Sequence, residues 1–178
     1  WSLARDAYGL AVRAHEGGAE GLAVGPGFLA TCGRDGAVRL WDPATGAPTE
    51  VLAPGGPAAT AVAVSRDGAL LAWSAGAEVV VWDRAAGKRR RVFGNIGEGA
   101  RTLAFRPDGG ALAAGASDMF GGVLVLWDLE SGEEIASHKV GTLPEVLFTP
   151  DGARMVLISA DLAYAGREQF FDARSGGE

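Results

Sequence analysis

Short apolar runs recur along the whole chain, and turns containing glycine separate each run from the next. Several runs, such as the one at residues 79–81, are continuously apolar, which is typical of strands buried on both faces. The stretches at 89–93 and 133–137 are more polar, as expected for strands at an exposed sheet edge. This pattern predicts an all-β chain built from many short strands.

Trp-Asp pairs mark an internal repeat. Trp41-Asp42, Trp82-Asp83 and Trp127-Asp128 each close an apolar run, and Phe171-Asp172 takes the same place in a fourth copy. The steps from one Asp to the next are 41, 45 and 44 residues, which is the period of about 40 to 45 residues typical of four-stranded propeller blades. Trp1-Ser2 is interpreted as the remnant of a preceding copy.

A second landmark keeps the same period. Arg66-Asp67-Gly68, Pro107-Asp108-Gly109 and Pro150-Asp151-Gly152 each lie between two apolar runs, and Asp-Gly favours the positive φ of a tight hairpin turn. The turn therefore joins the first and second strands of each copy. We predict first strands at 22–24, 60–64, 102–105 and 146–148, second strands at 28–32, 70–74, 111–115 and 155–159, third strands at 37–41, 79–82, 123–127 and 169–171, and outer strands at 10–13, 49–53, 89–93 and 133–137.

The copy at residues 14–42 resembles the WD-repeat family of β-propellers, in its prokaryotic form. It has a His before the first strand, a Thr in the second, an Asp in the following turn and the Trp of the third. The resemblance implies that these residues form one structural hydrogen-bonded network, made of His15, Thr31, Asp35 and Trp41. Trp donates, Asp accepts, and Thr and His do both, so all four side chains can be satisfied. A catalytic His15–Asp35 pair is the competing hypothesis, but no nucleophile is indicated.

The other copies depart from this set, so we expect their networks to be incomplete or absent. The third copy has Asp118 and Ala114 in place of the Asp and the Thr, and the last copy has Asp161 and Leu157. The copy that ends at Asp83 has only Ala and Gly near its turn.

The whole chain, residues 1–178, is assigned to WD-repeat blades. The approximate copies are 1–14 (partial), 15–53, 54–94, 95–140 and 141–178. The fold class is an all-β propeller of about four four-stranded antiparallel blades. The count of four complete blades holds if the outer strand at 10–13 completes the last blade, an exchange by which propellers avoid open sheet edges.

The number of blades leaves three arrangements open, since WD-type blades resemble those of rings of seven or eight. The chain is half of an eight-bladed ring made by two copies, a piece of a longer chain, or a compact four-bladed ring. The first two are favoured, and in both of them self-association or further blades complete the ring.

One set of loops carries two insertions, at residues 118–122 and 161–167. Met, aromatic and Arg side chains on irregular loops are the types that anchor protein interfaces. The alternative is that Phe120 and Tyr164 pack locally over their blades. The candidate partner-binding residues are Arg34, Asp118, Met119, Phe120, Tyr164 and Arg167.

Charge narrows the class of partner. The chain has 22 acidic and 16 basic residues, for a net charge of −6, which argues against nucleic acid because phosphate binding needs a surplus of Lys and Arg on one face. The basic run at 88–91 is interpreted as a solvated strand edge rather than as a contact for an acidic partner. The single Cys32 excludes an internal disulfide, and His138 has no second His or Cys at metal-ligand spacing. We therefore expect no metal, no cofactor and no catalytic residue.

No apolar run reaches the roughly 20 residues that span a bilayer, and the N-terminus does not resemble a signal peptide. We expect a cytoplasmic chain without membrane attachment. Because the chain begins at Trp1, a targeting segment in a longer precursor stays open.

The leading functional hypothesis is a non-catalytic scaffold for protein–protein interaction, whose loop face binds a peptide or protein within a larger protein or assembly. The family resemblance supplies this hypothesis. One alternative is an accessory or sensing domain of a multi-domain enzyme. Another is a ligand-binding or enzymatic propeller, for which the sequence shows no convergent titratable residues beyond the His15 network.

Overall fold

A computed structural model of the chain describes residues 4–6, 9–94, 96–118, 121–160 and 167–177. These residues form strands and turns only. Three sheets have four antiparallel strands each, a fourth sheet has three, and a further pair of strands forms a hairpin. The predicted all-β class and its four propeller blades are confirmed.

Strands follow one another in sequence order within each sheet, from the first strand of the blade to its outer strand. The hairpin consists of β1 (Ala4–Asp6) and β2 (Gly9–Ala11). The first blade comprises β3 (Ala19–Gly25), β4 (Phe28–Gly33), β5 (Val38–Trp41) and β6 (Pro48–Leu52), and the second comprises β7 (Val62–Val64), β8 (Leu70–Ala75), β9 (Glu78–Asp83) and β10 (Lys88–Phe93). The third comprises β11 (Ala100–Phe105), β12 (Ala111–Ser117), β13 (Gly122–Asp128) and β14 (Glu134–Val140), and the fourth β15 (Thr142–Phe148), β16 (Arg154–Ala160) and β17 (Arg167–Asp172).

The predicted outer strand at 10–13 does not complete the fourth blade. Strand β2 pairs with β1 instead, and the fourth sheet has three strands among the described residues. Only two residues separate β1 from β2, so closing the loop between them costs little entropy. That expectation was wrong because the sequence pattern identified a strand but not its partner.

The Asp-Gly turns form the hairpins that the sequence predicts. Gly68, Gly109 and Gly152 have φ of 72°, 74° and 69°, a conformation that glycine adopts without steric cost. The Asp before each glycine caps its turn, as shown by Asp67 Oδ1, which accepts the backbone N–H of Ala69 at 3.0 Å. The turn chemistry therefore sets the register between the first two strands of each blade.

Three apolar interfaces join consecutive blades. We call the side of a blade that faces the preceding blade its front face, and the side that faces the following blade its rear face. Between the first two blades, for example, Ala30 and Leu40 of the rear face are buried with Leu71 and Trp73 of the front face. The second and third blades, and the third and fourth, are joined by equivalent clusters.

No described blade packs against the front face of the first blade or the rear face of the fourth, and each face has exposed apolar side chains. Leu22 and Val24 on the first blade are 64% and 74% exposed, and Leu147 and Phe170 on the fourth are 63% and 49% exposed. Contacts link the first strands of consecutive blades, whereas the described strands of the fourth blade do not pack against the first in this way. Among the described residues, the four blades therefore do not close into a ring.

Candidate interaction site

A hydrogen-bonded network ties the first blade together. Thr31 Oγ1 accepts the indole N–H of Trp41 at 2.8 Å and lies 2.7 Å from His15 Nε2. His15 Nδ1 lies 2.8 Å from Asp35 Oδ1. Because a carboxylate can only accept, Nδ1 carries a proton, and in the neutral ring Thr31 donates its own proton to Nε2. The geometry brings together the four residues that the sequence singled out as a network.

Asp35 is the charged end of this network. Desolvation raises the pKa of Asp35, but hydrogen bonds from His15, from Arg39 and from the backbone N–H groups of Ala37 and Glu16 outweigh that effect and hold the pKa well below its usual range. Arg39 Nη1 donates to Asp35 Oδ2 at 2.8 Å and lies 2.6 Å from His15 Nδ1, which is a contact rather than a second hydrogen bond because that nitrogen is already protonated. Both ring nitrogens of His15 are engaged and the ring is buried. This geometry supports the structural interpretation over a catalytic pair.

In the later blades, aromatic side chains pack where the first blade has its hydrogen-bonded network. On the second strand of the second blade, Trp73 has the register position that Thr31 has in the first blade. The ring centroid of Trp73 lies 6.2 Å from that of Trp82. Phe93 stacks on Trp127 at 4.6 Å with an interplanar angle of 11°. His138 packs on Phe171 at 4.7 Å, and its Nε2 donates to the carbonyl oxygen of Gly176 at 2.6 Å.

The structure describes only some of the predicted partner-binding residues. The side chain of Arg34 is 69% exposed and forms an ion pair with Glu20. Asp118 is exposed, and its Oδ1 accepts the backbone N–H of Gly121 at 3.1 Å. Arg167 begins β17, but its side chain lies outside the described residues. Three further candidates also lie outside them: Met119, Phe120 and Tyr164.

The first strands of all four blades meet around one opening, with a volume of about 230 Å³. Each blade contributes a residue at or just before the start of its first strand, and the pair of Glu20 with Arg34 connects the rim to a predicted interface residue. Sequence reasoning missed this site. The signal that was available is a polar residue shortly before the apolar core of each first strand. The lining residues are Glu20, Thr60, Arg101, Leu143, Pro144 and Glu145.

Two charges at the opening have no ion-pair partner in the part of the chain that the structure describes. Arg101 and Glu145 are exposed, and neither forms an ion pair with another described residue. Beside them Leu143 is 61% exposed and has φ of 52°, a conformation that is costly for a residue with a branched side chain. Its N–H donates to Ser117 Oγ of the third blade at 3.3 Å.

Side-chain hydrogen bonds fix the wall of the opening between the second and third blades. Thr60 Oγ1 donates to the carbonyl oxygen of Ala100 at 2.6 Å. The backbone N–H of Thr60 in turn donates to Ser74 Oγ at 2.7 Å. One of these bonds lies within the second blade and the other crosses to the third, so the position of Thr60 at the rim does not depend on loop conformation alone.

A wider depression of about 600 Å³ lies beside the insertion at 118–122. Its lining includes three charged residues: Glu98 of the loop before the third blade, Asp118, and Lys139 of β14. It borders the loop that the sequence identified as a candidate contact surface.

Other kinds of site in the described part of the chain would be a membrane span, a metal centre or the single cysteine. Within it, no helix is long and apolar enough to cross a membrane, and no three His, Cys, Asp or Glu side chains are placed to hold a metal ion. Cys32 is fully buried, and burial raises the pKa of its thiol to about 12, so the thiolate required for chemistry does not form near neutral pH.

Comparison with known proteins agrees with the blade repeat. The profile of the family described as "WD domain, G-beta repeat" matches residues 12–42, which include all four network residues. No curated protein sequence matches the chain. Hydrazine synthase of Kuenenia stuttgartiensis has a similar fold, with a TM-score of 0.72 and 18% sequence identity over 90% of this chain and 52% of that one. The chain thus spans about half the length of that structure, and the likeness concerns the fold alone. The matched repeat and the four blades together show a β-propeller whose first complete blade contains a WD-type repeat.

Proposed function

We propose that the chain is a non-catalytic scaffold that binds a peptide or protein segment at the opening between its first strands. The observation that carries the proposal is the convergence of all four blades on this opening, where Arg101 and Glu145 are exposed and form no ion pair with another described residue. Charged groups that are held in place by a rigid scaffold but lack partners of their own are available to a ligand.

The chemistry of the rim suits a polypeptide. The Arg101 guanidinium can donate to a carboxylate or a backbone carbonyl, and the Glu145 carboxylate can accept from a Lys or a backbone N–H. Leu143 adds an exposed apolar contact at the same opening. A segment with an acidic, a basic and an apolar side chain would match all three groups.

A catalytic role has less support. The described lining holds two carboxylates, a guanidinium and a hydroxyl, without the His or Cys that would make a nucleophile and base pair. Hydrazine synthase is an enzyme by name, but at 18% identity the similarity supplies no residue of a catalytic site. We place the scaffold in a larger cytoplasmic assembly, as the sequence led us to expect.

Selection of peptides from a random display library against the intact chain tests the proposal. Peptides enriched on the wild-type chain should lose affinity at least tenfold for R101E, because the substitution reverses a charge at the rim. R89E is the matched control, since Arg89 lies exposed on the outer strand β10 of the second blade. Peptides that bind wild type and R101E equally, or that lose affinity only for R89E, would contradict the proposed site.

A further inference from the structure

Each interface between consecutive blades pairs a row of small side chains with a row of large ones. Residues paired across antiparallel strands lie on the same side of the sheet, so each row can be read from the strand register. The rows on the rear faces of the first three blades are Ala23-Ala30-Leu40, Ala63-Ala72-Val81 and Ala104-Ala113-Leu126. The rows buried against them on the following blades are Val64-Leu71-Trp82, Phe105-Leu112-Trp127 and Phe148-Met155-Phe171.

This pairing has a simple packing reason. Protein interiors are filled at a nearly constant density, so bulk on one side of an interface must be matched by small residues on the other. The two alanines of each rear row leave the room that the large aromatic and aliphatic side chains of the next blade occupy. Alanine at these two positions is therefore a requirement of the interface and recurs three times in the chain.

The front face of the first blade carries a row of the large type. Val24, Leu29 and Trp41 are aligned across its first three strands, in the positions of Val64, Leu71 and Trp82 of the second blade. Val24 is 74% exposed at one end of this row, although Trp41 at the other end is 5% exposed. The matching residues of the later blades are covered by the blade before them, so the Val24 end of the face has the composition of a blade interface without its partner.

The rear face of the fourth blade breaks the rule. Its row is Leu147-Val156-Phe170, with Leu and Val at the two positions that are Ala in every other blade. Leu147 and Phe170 are 63% and 49% exposed. If this face met the front face of the first blade, two rows of large side chains would oppose each other and the sheets could not approach to normal packing distance.

We propose that the front face of the first blade docks the rear face of a further WD-type blade that carries alanine on its first and second strands, and that the chain's own fourth blade is not this partner. The bulk of Leu147, Val156 and Phe170 prevents closure of the four blades into a ring. It also prevents two copies from pairing head to tail as an eight-bladed ring.

The proposal is tested by giving the rear face of the fourth blade the row of small side chains that the other rear faces carry. In the variant L147A/V156A/F170L, the fourth blade presents the same row as the first and third blades. Light scattering over a concentration series should show association at least tenfold tighter than that of the wild-type chain. Adding V24D should abolish this gain, because it places a charge in the docking face. V92D, at a residue of β10 that is 46% exposed, is the matched control and should leave the gain intact.

Two results would overturn the proposal. One is association of the wild-type chain that V24D abolishes and V92D does not, since the natural fourth blade would then fit the first. The other is a folded triple variant that associates no more tightly than wild type. Should circular dichroism show that the triple variant is unfolded, L147A alone is compared in the same way, because Leu147 is exposed and its truncation spares the core. If L147A is folded but associates no more tightly than wild type, or gains association that V24D does not abolish, the proposal is also overturned.

Discussion

Thr31 Oγ1 accepts the indole N–H of Trp41 at 2.8 Å, and the same oxygen contacts His15 before the first blade. One hydroxyl thus joins the second strand, the third strand and the chain that leads into the blade. The later blades place aromatic or aliphatic side chains at this position. The first blade therefore depends on polar contacts where the others depend on apolar packing.

Replacing Thr31 by Val should destabilise the chain by about 1–3 kcal/mol, because the indole N–H of Trp41 and a ring nitrogen of His15 lose their partner in a buried site. Urea unfolding followed by Trp fluorescence measures the change. The matched control is T49V, since Thr49 is exposed on the outer strand β6 and its substitution should stay within about 0.5 kcal/mol. Equal effects of the two substitutions would contradict the role given to the network.

Asp35 should make stability depend on acid pH. Its pKa is lowered in the folded chain from about 3.9 in the unfolded chain, so its contribution is fully present above the unfolded value and is lost as the pH falls through the folded value. The difference in free energy of unfolding between wild type and D35N should therefore be largest near neutral pH and shrink below about pH 4. A difference that stays constant from pH 7 to pH 3 would be inconsistent with this account. D35N itself should keep some acid sensitivity, because the pKa values of turn residues Asp67 and Asp151 are lowered as well.

Gly33 should not tolerate a side chain. A Cβ there would lie 2.5 Å from His15 Cγ and 2.6 Å from the carbonyl oxygen of Gly18, so G33A should displace the network and cost about 1–3 kcal/mol. G94A is the control, since a Cβ at Gly94 meets no atom within 4 Å. Thermal unfolding of both variants provides the comparison, and a G33A variant as stable as G94A would show that the His15 ring is not held in this place.

Cys32 should be inert in the folded chain. Its side chain is fully buried and the pKa of its thiol is raised to about 12. A chromogenic thiol reagent at pH 8 should react slowly with the native chain and at once after unfolding in denaturant. Rapid stoichiometric labelling of the native chain would mean that the interface between the first two blades opens readily.

The blade register could be predicted because it rests on local chemistry. The Trp-Asp pairs and the Asp-Gly turns fix where strands end, and the observed sheets follow them. Strand starts were less predictable. The strand expected at 60–64 begins at Val62, because Ser74 Oγ accepts the N–H groups of Thr60 and Ala61 in place of a ladder partner.

The first strand of the fourth blade shows the opposite error. It begins at Thr142, four residues before the predicted start, although Pro144 argues against a strand at that point. A register shift between Thr142 and Glu145 accommodates the proline. Sequence patterns do not reveal such irregularities, since they depend on how the neighbouring strand is placed.

The opening between the blades could not be predicted from the sequence. The network of the first blade lies within one repeat, so a family pattern was enough to propose it. Glu20, Arg101 and Glu145 come from three different repeats, and only the arrangement of the blades brings them to one rim. The same holds for the large row on the fourth blade, whose residues are visible in the sequence but gain meaning only from the register.

Leu147, at a position that is alanine in the other blades, limits how copies of this sequence could be fused into a longer propeller. A gene fusion of two whole chains in tandem would bring Leu147 and Phe170 of the first copy against the Val24 row of the second. The two blades at that junction would pack poorly. The second and third repeats, whose small rear rows and large front rows already match, are the segments from which a continuous array could be built.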